Sequence, residues 1–170
     1  VLLPDTIRPR FEQIRGSLNN AEVIEQALVG VDGIVHAAAK VSVSGDWEDY
    51  ERTNVVGTQA LLDAAIERSI SKFLYVSSPS VAHAGTALIG EGNGAASPEH
   101  ARGNYARSKA TAELAVLAAN GTKLASGSTM RVGALRPHLI WGPGDTQLVE
   151  RILDRAQSGR LPLLSGGTGL

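Results

Sequence analysis

Phe73-Leu74-Tyr75-Val76-Ser77-Ser78-Pro79-Ser80-Val81 runs from apolar residues straight into a cluster of hydroxyls. The run is short, apolar and followed by a turn former, which predicts a buried strand over residues 72–76 ending in serine. Downstream, the apolar spacing predicts a helix from about Asn104 to Ala119, ended by Asn120-Gly121. Upstream, Gly33–Ala37 reads as another buried strand. A helix precedes it over Ala21–Val29, capped by Asn19 or Asn20, with Val23, Ile24, Ala27 and Leu28 on one face. A longer helix follows it over Trp47–Ser69, opened by Gly45-Asp46 and apolar at Val55, Leu61, Leu62, Ala65 and Ile66. Met130–Leu135 gives a third strand, and Thr146–Ser158 a helix with Leu148, Ile152 and Leu153 inward. Phe11–Arg15 alternates weakly and reads as a short strand.

Strands alternating with helices imply an α/β fold with a doubly wound parallel sheet. Right-handed crossovers bring the C-terminal ends of all strands to one edge, where open sheets of this type bind ligands. Ala37-Ala38-Ala39, Ser77-Ser78 and Pro137-His138 all fall at expected strand ends. Core packing alone does not explain three such motifs on one edge.

Bulk composition narrows the function. The 170 residues are 43% hydrophobic and 19% charged, ordinary for a globular domain with a real core. A net charge of −1 offers no basic field for nucleic acid. Cysteine is absent, which excludes disulfides and thiol catalysis and fits a reducing compartment. No apolar run reaches the length of a membrane span, and no signal peptide opens the chain. A cytoplasmic protein is expected. His36, His83 and His100 are too scattered to suggest a metal site.

The chemistry is carried by Asn104-Tyr105-Ala106-Arg107-Ser108-Lys109-Ala110. Four residues on a helix put Tyr105 and Lys109 on one face. An ammonium beside the phenol favours phenolate and is expected to lower the tyrosine pKa. Such a tyrosine can move a proton to or from an alcohol or carbonyl oxygen. Arg107 and Ser108 are expected on the solvated side of that helix. Asn54 sits mid-helix, where its propensity is poor.

Taken in order, these stretches resemble the extended short-chain dehydrogenase/reductase family, and most closely its 3β-hydroxysteroid dehydrogenase-like branch. Ser77-Ser78-Pro79-Ser80-Val81 and the run from Arg136 to Asp145 carry that flavour, and the likeness extends from about Phe11 to the C-terminus. The resemblance implies NAD, or NADP, as cofactor and a small-molecule alcohol or ketone, sterol-like, as substrate. It makes Tyr105 the proton carrier and Lys109 the residue that holds the nicotinamide ribose. It selects Ser78 over Ser77 and Ser80 as the hydroxyl donor to the substrate oxygen, with Ser77 lining the cofactor. Asn54 becomes a bridge near cofactor and lysine. Ala37, Ala38 and Ala39 let the cofactor approach the backbone closely, although tight helix–sheet packing would also call for small residues. Pro137 and His138 resemble the segment that contacts the nicotinamide amide, with no proton role for His138. A homodimer through the tyrosine-bearing helix is compatible with Ala112, Leu114, Ala115, Leu117 and Ala118.

One stretch departs from the pattern. Gly16-Ser17 stands where the family usually carries Gly-Asp for the adenine amino group. The glycine-rich phosphate turn is also missing, because Gly90-Glu91-Gly92-Asn93-Gly94 neither follows a strand nor opens a helix. The chain starts at Val1 rather than methionine and stops at Gly169-Leu170 without a closing element, so it reads as an internal fragment. On that reading residues 1–140 are a partial Rossmann-type domain lacking its first βαβ unit, and residues 141–170 begin a substrate-binding region. The isolated chain is then expected to bind NAD weakly and turn over poorly, which calorimetric titration with NAD would test. Two rival readings use the same residues: a nucleotide-sugar epimerase or dehydratase, and a non-catalytic NAD(P)-sensing regulator. Retention of both Tyr105 and Lys109 argues against the second.

Overall fold

Three strands, β1 (Ile34–His36), β2 (Lys72–Val76) and β3 (Arg131–Leu135), form a parallel sheet in the order β1-β2-β3. This computed structural model describes residues 5–41, 45–82, 93–142 and 149–161. Alternation along β2 buries Phe73 and Tyr75 on one face and leaves Leu74 half-buried on the other. Register then lines up Ile34, Phe73 and Val132 on that buried face, with His36, Tyr75 and Ala134 one step further along.

The helices follow the expected order. Helix α1 (Ala21–Ala27) is capped by Asn20, whose Oδ1 accepts from the backbone N–H groups of Glu22 and Val23. It buries Ile24, and Leu28 just beyond its end is buried as well. The long helix after β1 has three parts: α2 (Trp47–Tyr50), a π-helical segment Glu51–Val56, and α3 (Gly57–Glu67). A π segment within a helix re-aims side chains and commonly marks a functional position. Here it buries Asn54. Gly57, at the junction, packs closely on Leu18, and a Cβ there would lie 3.1 Å from Cβ of Leu18, so that Leu18 would have to give by a few tenths of an ångström.

Helix α4 (Asn104–Ala118) starts after Gly103, whose φ of +89° suits glycine, and it carries Tyr105 and Lys109. The two crossovers, through α3 and through α4, step across the sheet in the same direction. Right-handedness therefore puts both helices on one face, and they touch there. Between them and the sheet lies the core of Leu61, Leu62, Ala65, Phe73, Val116 and Met130. Each large apolar side chain buried in it contributes about 1.5–3 kcal/mol.

Two sequence expectations fail. Phe11–Arg15 forms no strand, and Phe11 is exposed. A strand needs a hydrogen-bonding neighbour, and no described strand pairs with this segment. Ile152 and Leu153 of α5 (Val149–Gln157) are exposed rather than inward. They belong to the second of two units, His138–Leu170, in which α5 is the sole described element, so among the described residues of that unit no other element is there for the apolar stripe to bury against. The first unit, Val1–Pro137, holds the whole sheet. Of the other expectations, Leu148, the run Pro143–Asp145 and the glycines Gly90 and Gly92 lie outside the described residues.

Candidate active site

The parallel sheet sends the residues after β1, β2 and β3 out at one edge. Ala37, Ala38 and Ala39 follow β1, with Ala37 and Ala38 exposed. Ser77 and Ser78 follow β2, and Arg136 and Pro137 follow β3. Strand ends thus gather three of the expected groups on the first unit. His138 is the first residue of the second unit.

Ser78 caps the short 3₁₀ turn Pro79–Val81, accepting from the Ser80 N–H and pairing with the Ser80 hydroxyl at 2.9 Å. Ser78 also stands near the Tyr105 phenol and acts to lower its pKa. Ser77 differs. Its backbone N–H donates to the Leu135 carbonyl at 2.6 Å, while its buried Oγ has no hydrogen-bond partner among the described residues. A buried hydroxyl without a partner is costly unless a ligand completes it.

Tyr105 is half-buried, and burial raises its pKa, an effect that Ser78 partly offsets. The expected lowering by Lys109 does not occur in this state. Lys109 is buried and donates from Nζ to the Val76 carbonyl at 2.6 Å, with the ammonium 4.0 Å from the centre of the Tyr75 ring. The strand-end carbonyl of Val76 holds the charge that proximity in sequence assigns to the phenol. Burial pulls the Lys109 pKa down to about 8, and the Glu113 carboxylate one turn later partly counters it.

Asn54 is buried and fully engaged. Its Oδ1 accepts from the Lys40 N–H at 2.7 Å, and its Nδ2 donates to the Lys40 carbonyl at 3.1 Å and to the Ser108 hydroxyl at 2.9 Å. Ser108 is wholly buried rather than solvated, and donates in turn to the Tyr105 carbonyl at 2.8 Å. Arg107 is exposed as expected, with its guanidinium carbon over the Trp47 ring, 4.0 Å from the ring centre.

Several participants carried no signal in the sequence. Arg136, at the end of β3, reaches across to the buried Glu113 with Nε 3.1 Å from Oε2, and donates from Nη1 to the Gly94 carbonyl at 2.7 Å. His36 meets the Thr58 hydroxyl at 2.8 Å through Nε2. Thr58 gives its one proton to the Asn54 carbonyl at 2.7 Å, so His36 must be the donor and carries its proton on Nε2. Burial, then the nearby Lys109 charge, lowers the His36 pKa to about 4. Burial also raises the Tyr75 phenol strongly, and its hydroxyl finds no aligned partner although Thr58 is near. Ser17 uses its hydroxyl in a local turn, accepting from the Asn19 N–H at 3.1 Å.

The residues present fit a dinucleotide. An open backbone edge at Ala37–Ala39, an unpartnered Ser77 hydroxyl and a buried lysine beside a half-buried tyrosine form the donor set that a ribose and a nicotinamide ring require.

Comparison with known proteins places this geometry. The sequence profile of the 3-beta hydroxysteroid dehydrogenase/isomerase family matches residues 6–167. A 2-alkyl-3-oxoalkanoate reductase of Stenotrophomonas maltophilia (strain K279a) is 42% identical over 92% of the chain and 46% of its own length. The sterol-4-alpha-carboxylate 3-dehydrogenase, decarboxylating, of Mus musculus is 32% identical over 93% of the chain and 42% of its own length. Among solved structures, the dTDP-glucose 4,6-dehydratase DesIV of Streptomyces venezuelae, with NAD and TYD bound, superposes with a TM-score of 0.67. It is 27% identical, over 85% of this chain and 44% of that one. Solved chains of this fold hold NAD or NADPH. The chain spans about half the length of the curated relatives it matches. On these grounds it belongs to the 3-beta hydroxysteroid dehydrogenase/isomerase family, in the Rossmann-fold, NAD(P)-binding short-chain dehydrogenase/reductase superfamily.

Proposed function

We propose that the protein is an NAD(P)-dependent oxidoreductase acting at a carbon that bears oxygen, interconverting a ketone and a secondary alcohol. The observation that carries this reading is the Lys109 bond to the Val76 carbonyl at 2.6 Å, which seats the helix of Tyr105 against the strand that leads into Ser78. Ala37–Ala39, Ser77, Lys109 and Pro137 are the residues of the first unit assigned to the cofactor, which when bound supplies or accepts the hydride. Ser78 donates a hydrogen bond to the substrate oxygen and so orients the carbonyl. In the reductive direction Tyr105 delivers its phenolic proton to that oxygen, and in the oxidative direction takes it back. A raised phenol pKa keeps Tyr105 protonated at neutral pH, the form that reduction needs. Lys109, seated on the Val76 carbonyl at the sheet edge, is the residue offered to the nicotinamide ribose. Asn54 holds the loop and helix that carry these groups.

The finer reading is a 3β-hydroxysteroid or sterol-like substrate, supported by the family match and by relatives such as the Mus musculus sterol dehydrogenase. The greater identity to a 2-alkyl-3-oxoalkanoate reductase favours a second reading, a ketone on an acyl chain. NAD(P)H turnover by the protein on a panel of 3β-hydroxysteroids, 2-alkyl-3-oxoalkanoates and nucleotide sugars tests both. Conversion of a nucleotide sugar with no net change in NAD(P)H, and no turnover of the other two classes, would replace either reading with the epimerase/dehydratase one. Binding of cofactor with no turnover would point to a regulatory protein.

A further inference from the structure

Ala37 and Ala38 are exposed and Ala39 is half-buried, yet the residues on either side of this segment are held by one helix. His36, the last residue of β1, is bonded through Nε2–H to Thr58 at 2.8 Å. Lys40, the first residue after the alanines, is bonded through both its N–H and its C=O to Asn54. Thr58 and Asn54 are themselves joined, Thr58 Oγ1 donating to the Asn54 carbonyl at 2.7 Å. From Asn54 the chain of bonds continues through Ser108 to the backbone of Tyr105. Every side chain in this circuit, namely His36, Thr58, Asn54 and Ser108, is buried.

We propose that Thr58 and Ser108 are positioning residues which clamp the Ala37–Ala39 edge in register with the Tyr105 turn. This inference rests on the oxidoreductase reading for its purpose, but not for its geometry. Alanine side chains have no polar group with which to fix their own loop, so the loop's position comes from its two anchors. Both anchors converge on the π-helical segment and the first turn of α3, and Ser108 ties the same point to α4. A cofactor resting on the alanines and a proton carrier on α4 are thereby set at a fixed separation. Each bond is neutral, and loss of one changes an equilibrium about two- to tenfold.

Thr58→Val and Thr58→Ser separate hydroxyl from shape. Valine keeps the volume and removes both hydrogen bonds, whereas serine keeps the hydroxyl. Amide hydrogen exchange at Lys40, and the Kd of NAD(P)H, are the readouts that need no turnover. Thr58→Val is expected to lower Lys40 protection about tenfold, to raise the KM for NAD(P)H by a similar factor, and to change kcat much less. Thr58→Ser is expected to restore both, and Ser108→Ala to lower Lys40 protection as Thr58→Val does. Wild-type protection in Thr58→Val and Ser108→Ala would overturn the clamp, as would a Thr58→Ser variant as impaired as the valine one. Lost protection in a protein that turns over no carbonyl substrate would support the clamp and remove the oxidoreductase reading. Unchanged protection with altered turnover would do the reverse.

Discussion

Lys109 donates to the carbonyl of Val76 at 2.6 Å, at the last residue of the central strand. The bond brings a buried ammonium from α4 onto the sheet edge and seats it over the Tyr75 ring. One side chain therefore joins the helix that bears Tyr105 to the strand that leads into Ser77 and Ser78.

The burial of Lys109 costs stability at neutral pH. Its folded pKa of about 8 lies below the ordinary lysine value, so the unfolded chain binds the proton more tightly. Below pH 8 both states are charged and the full penalty, on the order of 3 kcal/mol, applies. It is relieved as pH rises from 8 towards 10.5. Lys109→Met is expected to unfold at higher urea at pH 7 while losing turnover, with the stability gap closing near pH 10. A less stable variant at pH 7 would show that the Val76 bond outweighs the desolvation.

His36 works in the opposite pH range. Its folded pKa of about 4 lies below its unfolded value near 6.5, so the unfolded state takes up the proton first as pH falls. Its contribution is fully present above pH 6.5 and is lost towards pH 4, at about 3 kcal/mol in all. His36→Gln keeps an N–H donor but does not titrate. Urea melts at pH 7 and pH 4 are expected to differ by about 3 kcal/mol less in that variant.

The Arg136–Glu113 pair makes a third case. Glu113 is 1% exposed on its side chain, so removal of its partner strands a carboxylate in the core. Arg136→Met is expected to cost about 3–5 kcal/mol in denaturant melts, with most of it regained in Arg136→Met/Glu113→Leu. A double variant as unstable as the single one would assign the loss instead to the Arg136 bond with Gly94.

The serines at the end of β2 should separate by kinetics. Ser78→Ala is expected to lower kcat about a hundredfold, because a donor aimed at the reacting oxygen is removed. Ser77→Ala is expected to raise the KM for NAD(P)H with kcat nearly intact. Equal effects on kcat from both would reject the division of labour between them.

Much of this was legible in the sequence, for identifiable reasons. Apolar runs bounded by turn formers located β2 to the residue, and a four-residue spacing put Tyr105 and Lys109 on one helix face. Long-range polar pairs leave no such periodic mark. Glu113 and Arg136 are 23 residues apart, and Ser108 finds Asn54 across 54 residues. Ser108 carries no apolar signal and so looked solvated. The π-helical segment depends on the tertiary bonds that Asn54 and Thr58 make, which no 3.6-residue period encodes. Spacing points to a lowered Tyr105 pKa where burial raises it, because spacing shows neither the burial of the phenol nor the strand carbonyl that takes the ammonium.

The central claim is that Tyr105 carries the proton. NAD(P)H oxidation by wild type and Tyr105→Phe, on whichever carbonyl substrate the panel identifies, tests it most directly, with NAD(P)H affinity measured alongside. The account predicts a fall in kcat of about a thousandfold with cofactor Kd within about twofold of wild type. Turnover by Tyr105→Phe at the wild-type rate would contradict it.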